Sequence, residues 1–293
     1  PSLIAVSDAL FYGGRLVAPG RAPGGPGGLA VVEVRGAMTS SRGPPAGLVN
    51  EAQAERLVAD ARKLVMAADA ARKPLSLGVI TLNRPQRGLI RAKLLNDASA
   101  GLEDHPDVRG ALRRSKAARS GWAADDLAAL DGDPPVFVES IDRIQGEERG
   151  TIFFSTLLAP RAGEMSVDLD CLDRLEEEDD SDDEPGTRTP RRRRAPSARH
   201  YSTLSHAHGH RLLNVGITRA VSSMRCYVHP ECPAPAPHDA RPGRRAFGWL
   251  CRTLLRRPAP CGCAACKALA GRLAPLDDVG DSADVDHGKQ RVG

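Results

Sequence analysis

Hydrophobic residues along the chain fall into short runs that predict five β-strands. The runs are rich in β-branched residues and stop at polar or Gly-containing segments, as strands do. The run LSLGVITL is almost continuous, which is typical of a strand covered on both faces. The five predicted strands span residues 29–34, 75–82, 136–141, 151–158 and 224–228.

Between these runs, apolar residues recur every three or four positions and predict helices. The clearest pattern begins after Asn50, whose side chain suits a helix N-cap, and continues to Val65. Residues 86–95 and 212–221 also have helical spacing. Because strands and helices alternate and the strands are apolar, the pattern predicts an α/β fold with a mainly parallel sheet flanked by helices.

Composition and charge limit this picture. The 293 residues include 41 basic and 37 acidic side chains, a net charge of +4, and aromatic residues make up only 3%. The core must therefore be built mainly from Leu, Val, Ile and Ala. An acidic block at 176–184 and four arginines at 191–194 cannot bury apolar surface, so we expect a disordered charged insertion at 172–200.

Other features concern location and extent. No apolar run approaches the ~20 residues that span a bilayer, so no membrane association is expected. The seven cysteines lack the spacing of a secreted scaffold and the N-terminus does not resemble a signal peptide, which favours an intracellular protein, nuclear or cytoplasmic. Because the sequence begins at Pro1, we expect a fragment of a longer protein, with a natural lone domain as the alternative. We expect one domain at residues 1–230 and a basic, Cys-containing, partly disordered extension at 231–293.

Three polar clusters accompany the predicted strands, at residues 79–86, 140–149 and 211–220. We expect all three just past strand ends, where an α/β sheet places its ligands. Taken singly, each has an ordinary alternative: a solvated turn, a charged surface turn and a helix-surface arginine. The functional alternatives are a loop in which Gly146 lets the backbone approach a ligand, and an Arg219 that heads a helix and offers its guanidinium to a phosphate.

Taken together, the order and spacing of these segments resemble the C-terminal motor domain of superfamily 1 DNA and RNA helicases. GVITLNRPQ is similar to motif IV of that family, ESIDRIQGEERGTIFFS to motif V and RLLNVGITRA to motif VI. The opening segment PSLIAVSDALFYGGRLVAP and Asn50-Glu51-Ala52 also resemble the family. Two residues depart from its pattern, since Gly150 replaces a usual Asp and Leu212 a usual Arg. The resemblance implies a RecA-like fold.

The resemblance also implies functional residues. Arg219 would be the catalytic arginine finger, which stabilises charge in the transition state of ATP hydrolysis. Glu148 would hold the ribose of the nucleotide, and Ser140 a nucleic-acid phosphate. The set implied for nucleotide binding is Gln145, Gly146, Glu148, Arg211 and Gln86, and the set implied for nucleic-acid binding is Ser140, Thr81 and Asn214. The resemblance implies no metal ligand within this sequence.

ATP and Mg²⁺ are the implied cofactors, and single-stranded DNA or RNA is the implied partner. The sequence contains no GxxxxGKS/T phosphate loop. We therefore expect that loop and the Mg²⁺ ligands in a separate N-terminal RecA-like domain, which is the second implied partner. On this interpretation the chain alone does not hydrolyse ATP. The alternative is a non-catalytic module that binds nucleic acid or a protein partner without turnover.

Residues outside these motifs leave further alternatives open. Cys261, Cys263 and Cys266, with Cys251 nearby, are either zinc ligands or free thiols, and only the Cys263-x-x-Cys266 spacing is typical of zinc sites. The histidines at 200, 206, 208 and 210 are either metal ligands or part of a polar loop. Residues 244–257 mix arginines with aromatic residues and predict an amphipathic helix that docks on the domain, or a minor nucleic-acid surface.

Overall fold

Five parallel strands form the central sheet of the protein. A computed structural model describes residues 3–16, 28–41, 47–96, 108, 135–160, 204–231, 240–257 and 261–273. The strands of the sheet are β1 (Leu29–Glu33), β4 (Leu77–Thr81), β5 (Val136–Ser140), β6 (Arg149–Ser155) and β7 (Ala220–Val228). They lie in the order β1, β7, β6, β4, β5, and every neighbouring pair is parallel. The predicted insertion at 172–200 lies outside the described residues.

Helices cover both faces of this sheet. They are α1 (Leu3–Ser7, continued by a π-helical turn, Asp8–Tyr12), α2 (Glu51–Ala70), α3 (Arg84–Asn96), α4 (Gly209–Thr218), α5 (Pro242–Leu254) and α6 (Ala264–Leu273). Helices α2 and α3 share one hydrophobic cluster with the sheet, and α1, α4, α5 and α6 share the other. The prediction of a mainly parallel α/β fold with flanking helices is therefore confirmed. None of the helices in the described ranges is long and apolar enough to cross a membrane.

A small antiparallel hairpin was not predicted from the sequence. It pairs β2 (Met38–Ser40) with β3 (Leu48–Asn50). The backbone N–H of Met38 donates to the carbonyl of Pro160 (2.9 Å), which ties the hairpin to the segment after β6. Each strand has only three residues, too few to show the alternation that identifies a strand.

The centre of the sheet is buried because β4 lies between two neighbouring strands and under helices on both faces. All five of its residues are buried, as the continuous run predicted. Gly78 has no side chain, and the Phe137 ring and the Ile152 side chain occupy the space where its Cβ would lie. On the α2 face, Tyr227 donates its hydroxyl hydrogen to Asp60 (3.2 Å). Burial and then the charge of Asp60 raise the pKa of Tyr227, so this phenol remains a donor.

Helix α5 docks on the domain with its apolar side. Phe247, Trp249 and Leu250 are buried in the same cluster as the sheet residues, which confirms the docking helix predicted at 244–257. The start of α5 reaches the backbone of α4, because a Cβ at Gly243 would lie 2.8 Å from the Gly209 carbonyl carbon and 2.9 Å from the His210 nitrogen. The helices of the extension thus share the core of the domain. A domain boundary at residue 230 stays a prediction.

One local prediction was wrong. The helix expected at 212–221 is α4, which ends at Thr218, and β7 begins at Ala220 rather than at residue 224. Arg219 therefore lies at the C-terminal cap of a helix and does not head one. The apolar spacing continues across the boundary, so periodicity alone does not show where the helix stops.

We expect Gly78→Ala to destabilise the fold. A Cβ at this position would lie 2.5 Å from Phe137 Cζ and from Ile152 Cδ1, in the middle of the sheet. Overpacking of this kind costs about 1–3 kcal/mol, measured as the free energy of unfolding in urea. Gly271→Ala in α6 is the matched control, because nothing lies within 4 Å of its Cβ position. The control should be neutral or more stable by up to ~1 kcal/mol. Equal losses for both variants would contradict the packing described for β4.

Candidate functional site

The residues expected to carry function lie at two opposite edges of the sheet. Because the strands are parallel, their carboxyl ends define one edge and their amino ends the other. Thr81 and Ser140 end β4 and β5 at the carboxyl edge. Glu148 and Arg219 directly precede β6 and β7 at the amino edge. The expectation that all three clusters follow strand ends is therefore wrong for Glu148 and Arg219.

At the amino edge the structure brings Arg219 and Glu148 together. Nη1 of Arg219 lies 3.5 Å from Oε1 of Glu148. The Arg219 side chain also donates from Nε to the carbonyl of Val215 (3.2 Å), one turn back in α4. The Arg219 side chain is 19% exposed and that of Glu148 58%. The guanidinium is thus oriented by its own helix and lies beside an accessible carboxylate.

The turn before Glu148 is open to solvent. Gln145 and Gly146 are exposed, and Gly146 has a φ of +86°, which favours glycine. No atom lies within 4 Å of the position that a Cβ of Gly146 would take. Within the described part of the chain, this turn is therefore accessible at the same edge as Arg219 and Glu148.

The segment 141–148 connects the two edges and packs along α4. Ile141 and Ile144 are buried in the hydrophobic cluster that α4 shares. A Cβ at Gly216 of α4 would lie 3.3 Å from Ile141 Cδ1, so the two elements are in close contact. At the amino edge, the N–H of Arg149 donates to the carbonyl of Arg219 (3.1 Å). Motifs V and VI therefore form one packed unit.

At the carboxyl edge, Gln86 lies in a buried polar network. Its Oε1 accepts from the N–H of Asn50 (2.8 Å), and its Nε2 donates to the Asn50 carbonyl (3.0 Å) and to Ser155 Oγ (3.3 Å). Its own N–H donates to Asn83 Oδ1 (3.0 Å). The structure does not bring Gln86 together with Glu148 and Arg219. Its contact with a nucleotide stays a prediction, and the contacts described here are structural.

Two residues of this network were missed in the sequence. Gln53 accepts with Oε1 from Ser155 Oγ (3.0 Å) and from the N–H of Leu157 (2.9 Å). Asn83 donates from Nδ2 to the Leu48 carbonyl (2.8 Å). The sequence feature that identifies Asn83 as a structural residue is the spacing Asn83-x-x-Gln86 at the start of a helix, which resembles a capping box. Asn50 is the N-cap predicted for α2, and its Oδ1 accepts from the N–H of Gln53 (3.0 Å).

The residues predicted to bind nucleic acid have different environments. The Thr81 hydroxyl is buried and donates to the Asn83 carbonyl (2.8 Å). Asn214 binds α1, because its Oδ1 accepts from Ser7 Oγ and its Nδ2 donates to the Tyr12 hydroxyl (2.9 Å). Ser140 is also buried, but its Oγ has no hydrogen-bond partner among the residues that the structure describes. Most buried hydroxyls in proteins have such a partner, so Ser140 is an exception among the buried polar residues of this edge.

Arg211 differs from these residues because it is exposed in the first turn of α4. The helix runs from there to Arg219 at its C-terminal cap. A nucleotide contact by Arg211 stays a prediction.

The cysteines and histidines near the C-terminus also have defined positions. The Sγ atoms of Cys261, Cys263 and Cys266 lie within 4.8 Å of one another. The backbone N–H of Cys266 lowers the pKa of Cys263, whereas burial raises the pKa of Cys266 to about 12. The rings of His206 and His208 lie 5.6 Å apart. Within the described ranges the histidines form no group of three potential metal ligands, and His200 lies outside those ranges.

A parallel sheet with helices on both faces, together with motifs V and VI joined along α4, defines a RecA-like domain of the helicase motor type. Comparison with known families agrees. The family model of an AAA domain matches residues 1–228, and this domain is found in superfamily 1 helicases. The chain belongs to this family, whose domains are helicase-type ATPase domains that use nucleotides. No match was found among curated proteins.

We expect Gln86→Ala to destabilise the fold and Gln145→Ala to leave it unchanged. Both glutamines were predicted to contact nucleotide, but Gln86 is fully buried and bonded, whereas Gln145 is exposed. Loss of the Gln86 amide leaves the backbone polar groups of Asn50 unpaired, at a cost of about 2–4 kcal/mol in unfolding free energy. Urea denaturation of both variants tests this expectation. A Gln86→Ala protein as stable as the Gln145→Ala control would show that the network is not structural.

Proposed function

We propose that this chain is the C-terminal motor domain of an ATP-dependent superfamily 1 nucleic-acid helicase, in which Arg219 is the arginine finger. The observation that carries the proposal is the pairing of Arg219 with Glu148 at the amino edge of the sheet. Two elements hold this pair, α4 through the Val215 carbonyl and β6 through the backbone bond from Arg149 to Arg219. A pre-oriented guanidinium at an open edge suits a phosphate supplied by a facing domain.

The chemistry of the pair fits a nucleotide. A guanidinium offers a rigid fork of donors and remains charged, and it stabilises the charge that develops on the γ-phosphoryl oxygens during transfer. A carboxylate accepts hydrogen bonds from ribose hydroxyls. In this structure Glu148 is the anionic group beside Arg219. The neighbouring turn at Gln145 and Gly146 is exposed. ATP would supply the phosphoryl group, and Mg²⁺ would lie with the phosphates.

The phosphate loop and the Mg²⁺ ligands of this mechanism belong to a second RecA-like domain. The sequence has no GxxxxGKS/T motif. The two domains would close on ATP and reopen after hydrolysis. Within this chain, the segment 141–148 joins Ser140 at the carboxyl edge to Glu148 at the amino edge. A nucleic-acid phosphate held at Ser140 and a nucleotide held at Glu148 and Arg219 would then be linked through eight residues of backbone.

The alternative function is a non-catalytic module that binds nucleic acid or a protein partner. Two observations favour it, the absence of the phosphate-loop motif from the sequence and Leu212 in place of a usual Arg. Leu212 is packed against the hydrophobic core, so no guanidinium occupies that position. The two proposals differ in one measurable property, which is ATP turnover in the presence of a phosphate-loop domain.

We expect Arg219→Ala to abolish ATP hydrolysis when the chain is joined to a phosphate-loop RecA-like domain. Loss of an arginine finger lowers the turnover rate by about 10³–10⁵-fold. Arg62→Ala, on the exposed side of α2, is the matched control and should retain the rate. Hydrolysis is measured as phosphate release with and without single-stranded DNA or RNA, and circular dichroism checks that both variants are folded.

The possible outcomes separate the two functions. Turnover that survives in Arg219→Ala would overturn the arginine-finger assignment. No turnover in the unaltered joined protein, together with retained nucleic-acid binding, would support the non-catalytic module instead.

We expect Ser140→Ala to weaken binding of a single-stranded oligonucleotide without destabilising the fold. The Ser140 hydroxyl has no partner within the described part of the chain, so its removal costs no internal hydrogen bond. A lost hydrogen bond to a phosphate corresponds to about tenfold in Kd. Ser223→Ala is the control, because that hydroxyl pairs with Thr151 and lies in the first half of β7. Fluorescence anisotropy at several salt concentrations measures both variants, and binding should weaken as salt rises. Equal affinities would remove Ser140 from the nucleic-acid surface.

A further inference from the structure

The start of α6 contains three thiols that converge on one point. The Sγ atoms of Cys261, Cys263 and Cys266 lie within 4.8 Å of one another. The five cysteines that the structure describes are not in disulfides. The three thiols lie outside the residues that match the helicase family model, so the proposed ATPase function does not use them. We propose that they form a structural zinc site.

The distances fit a mononuclear metal. Zinc binds thiolate sulfur at about 2.3 Å in a tetrahedral arrangement, which places neighbouring sulfurs about 3.8 Å apart. Three sulfurs that all lie within 4.8 Å of one another can reach that geometry with small side-chain rotations. An iron–sulfur cluster requires ligands that bind different iron atoms, and this requires a wider separation of the sulfurs.

The backbone around Cys263 is also arranged as a metal ligand requires. Cys263 directly precedes α6, and its carbonyl accepts the N–H of Lys267 (3.0 Å) as the first bond of the helix. Its Sγ accepts the N–H of Cys266 (3.4 Å). An N–H donor and the positive end of a helix both stabilise a thiolate, which is the form that binds zinc. Each thiol that binds the metal releases a proton.

Three sulfurs occupy three of the four coordination positions of a tetrahedral zinc ion, so one position remains for another ligand. In the described ranges, no fourth His, Cys, Asp or Glu belongs to the group, and Cys251 in α5 is not a member of it. A water molecule or a ligand from outside these ranges would complete the coordination. A disulfide between two of the thiols is the competing outcome, but it would leave the third thiol of the group unused.

The place of the site in the fold suggests what the metal does. Helix α6 has ten residues, and only Cys266 and Leu273 of that helix are buried. Helices shorter than about 12–15 residues are marginal without support from packing. Helix α6 contacts the π-helical turn Asp8–Tyr12, and the Tyr12 hydroxyl in turn accepts a hydrogen bond from Asn214 of α4. Zinc would therefore fix helix α6 against the element that holds α4.

Metal analysis of the full 293-residue chain tests the proposal. The chain is expressed with zinc available and purified with a thiol reductant and without chelators. We expect about one zinc ion per chain, and under about one-tenth of an ion in Cys263→Ser and in Cys266→Ser. The matched control is Cys226→Ala in β7, which should retain the zinc. Cys226 is fully buried in the sheet and does not belong to the group of three thiols, so its removal leaves the proposed ligands in place.

Cobalt substitution keeps the test decisive if a serine variant fails to fold. Co²⁺ added to the zinc-depleted, unaltered chain should give thiolate-to-cobalt charge-transfer bands and the intense d–d bands of tetrahedral coordination, and zinc should displace both. Removal of zinc by a chelator should lower the melting temperature of the unaltered chain.

Three results would overturn the proposal. The first is a folded chain with neither bound zinc nor a thiolate–cobalt band. The second is iron in place of zinc. The third is a disulfide that joins two of the three thiols, identified as a cross-linked peptide in a non-reducing digest.

Discussion

The structure depends on a short crossing between two parallel strands. Strand β5 ends at the carboxyl edge and β6 starts at the amino edge, with the eight residues 141–148 between them. The five residues of β4 span about 17 Å, and eight residues reach at most about 28 Å. The segment therefore has room for a short 3₁₀ turn, Ile141–Arg143, but not for the crossover helix that parallel strands usually need. Its two ends cannot move independently, and both carry predicted ligand contacts.

The two edges that this segment joins have different chemistry. At the carboxyl edge the amides of Asn50, Gln53 and Gln86 are buried and bonded to backbone, which fixes the hairpin, α2 and α3 to the end of β6. At the amino edge Glu148 and Arg219 remain partly exposed and bonded mainly to each other and to α4. A buried hydrogen-bond network resists rearrangement, whereas an exposed ion pair is weak and can exchange partners. The first edge is therefore a scaffold, and the second can respond to a ligand.

Sequence reasoning found the elements that depend on local pattern. The strand at Leu77–Thr81 was predictable because burial on both faces requires a continuous apolar run, and the Asn50 cap because its chemistry is local. Partners far apart in the chain were not predictable. The Gln86 amide binds the Asn50 backbone 36 residues away. The local sequence around Gln86 is compatible with a ligand contact and with a structural contact, so it does not distinguish the two. The position of Arg219 was misjudged because apolar spacing continues from α4 into β7, and nothing local marks the boundary.

The orientation of Arg219 results from contacts on three sides of α4. Helix α1 binds Asn214 through Ser7 and Tyr12, and the start of α5 approaches so closely that a Cβ at Gly243 would lie 2.8 Å from the carbonyl carbon of Gly209 in α4. The segment 141–148 packs against the third side through Ile141. Because α1 and α5 lie outside motifs V and VI, residues beyond these two motifs contribute to how the guanidinium is presented. A catalytic arginine requires such positioning, since a shift of about 1 Å can cost about 10²-fold in rate.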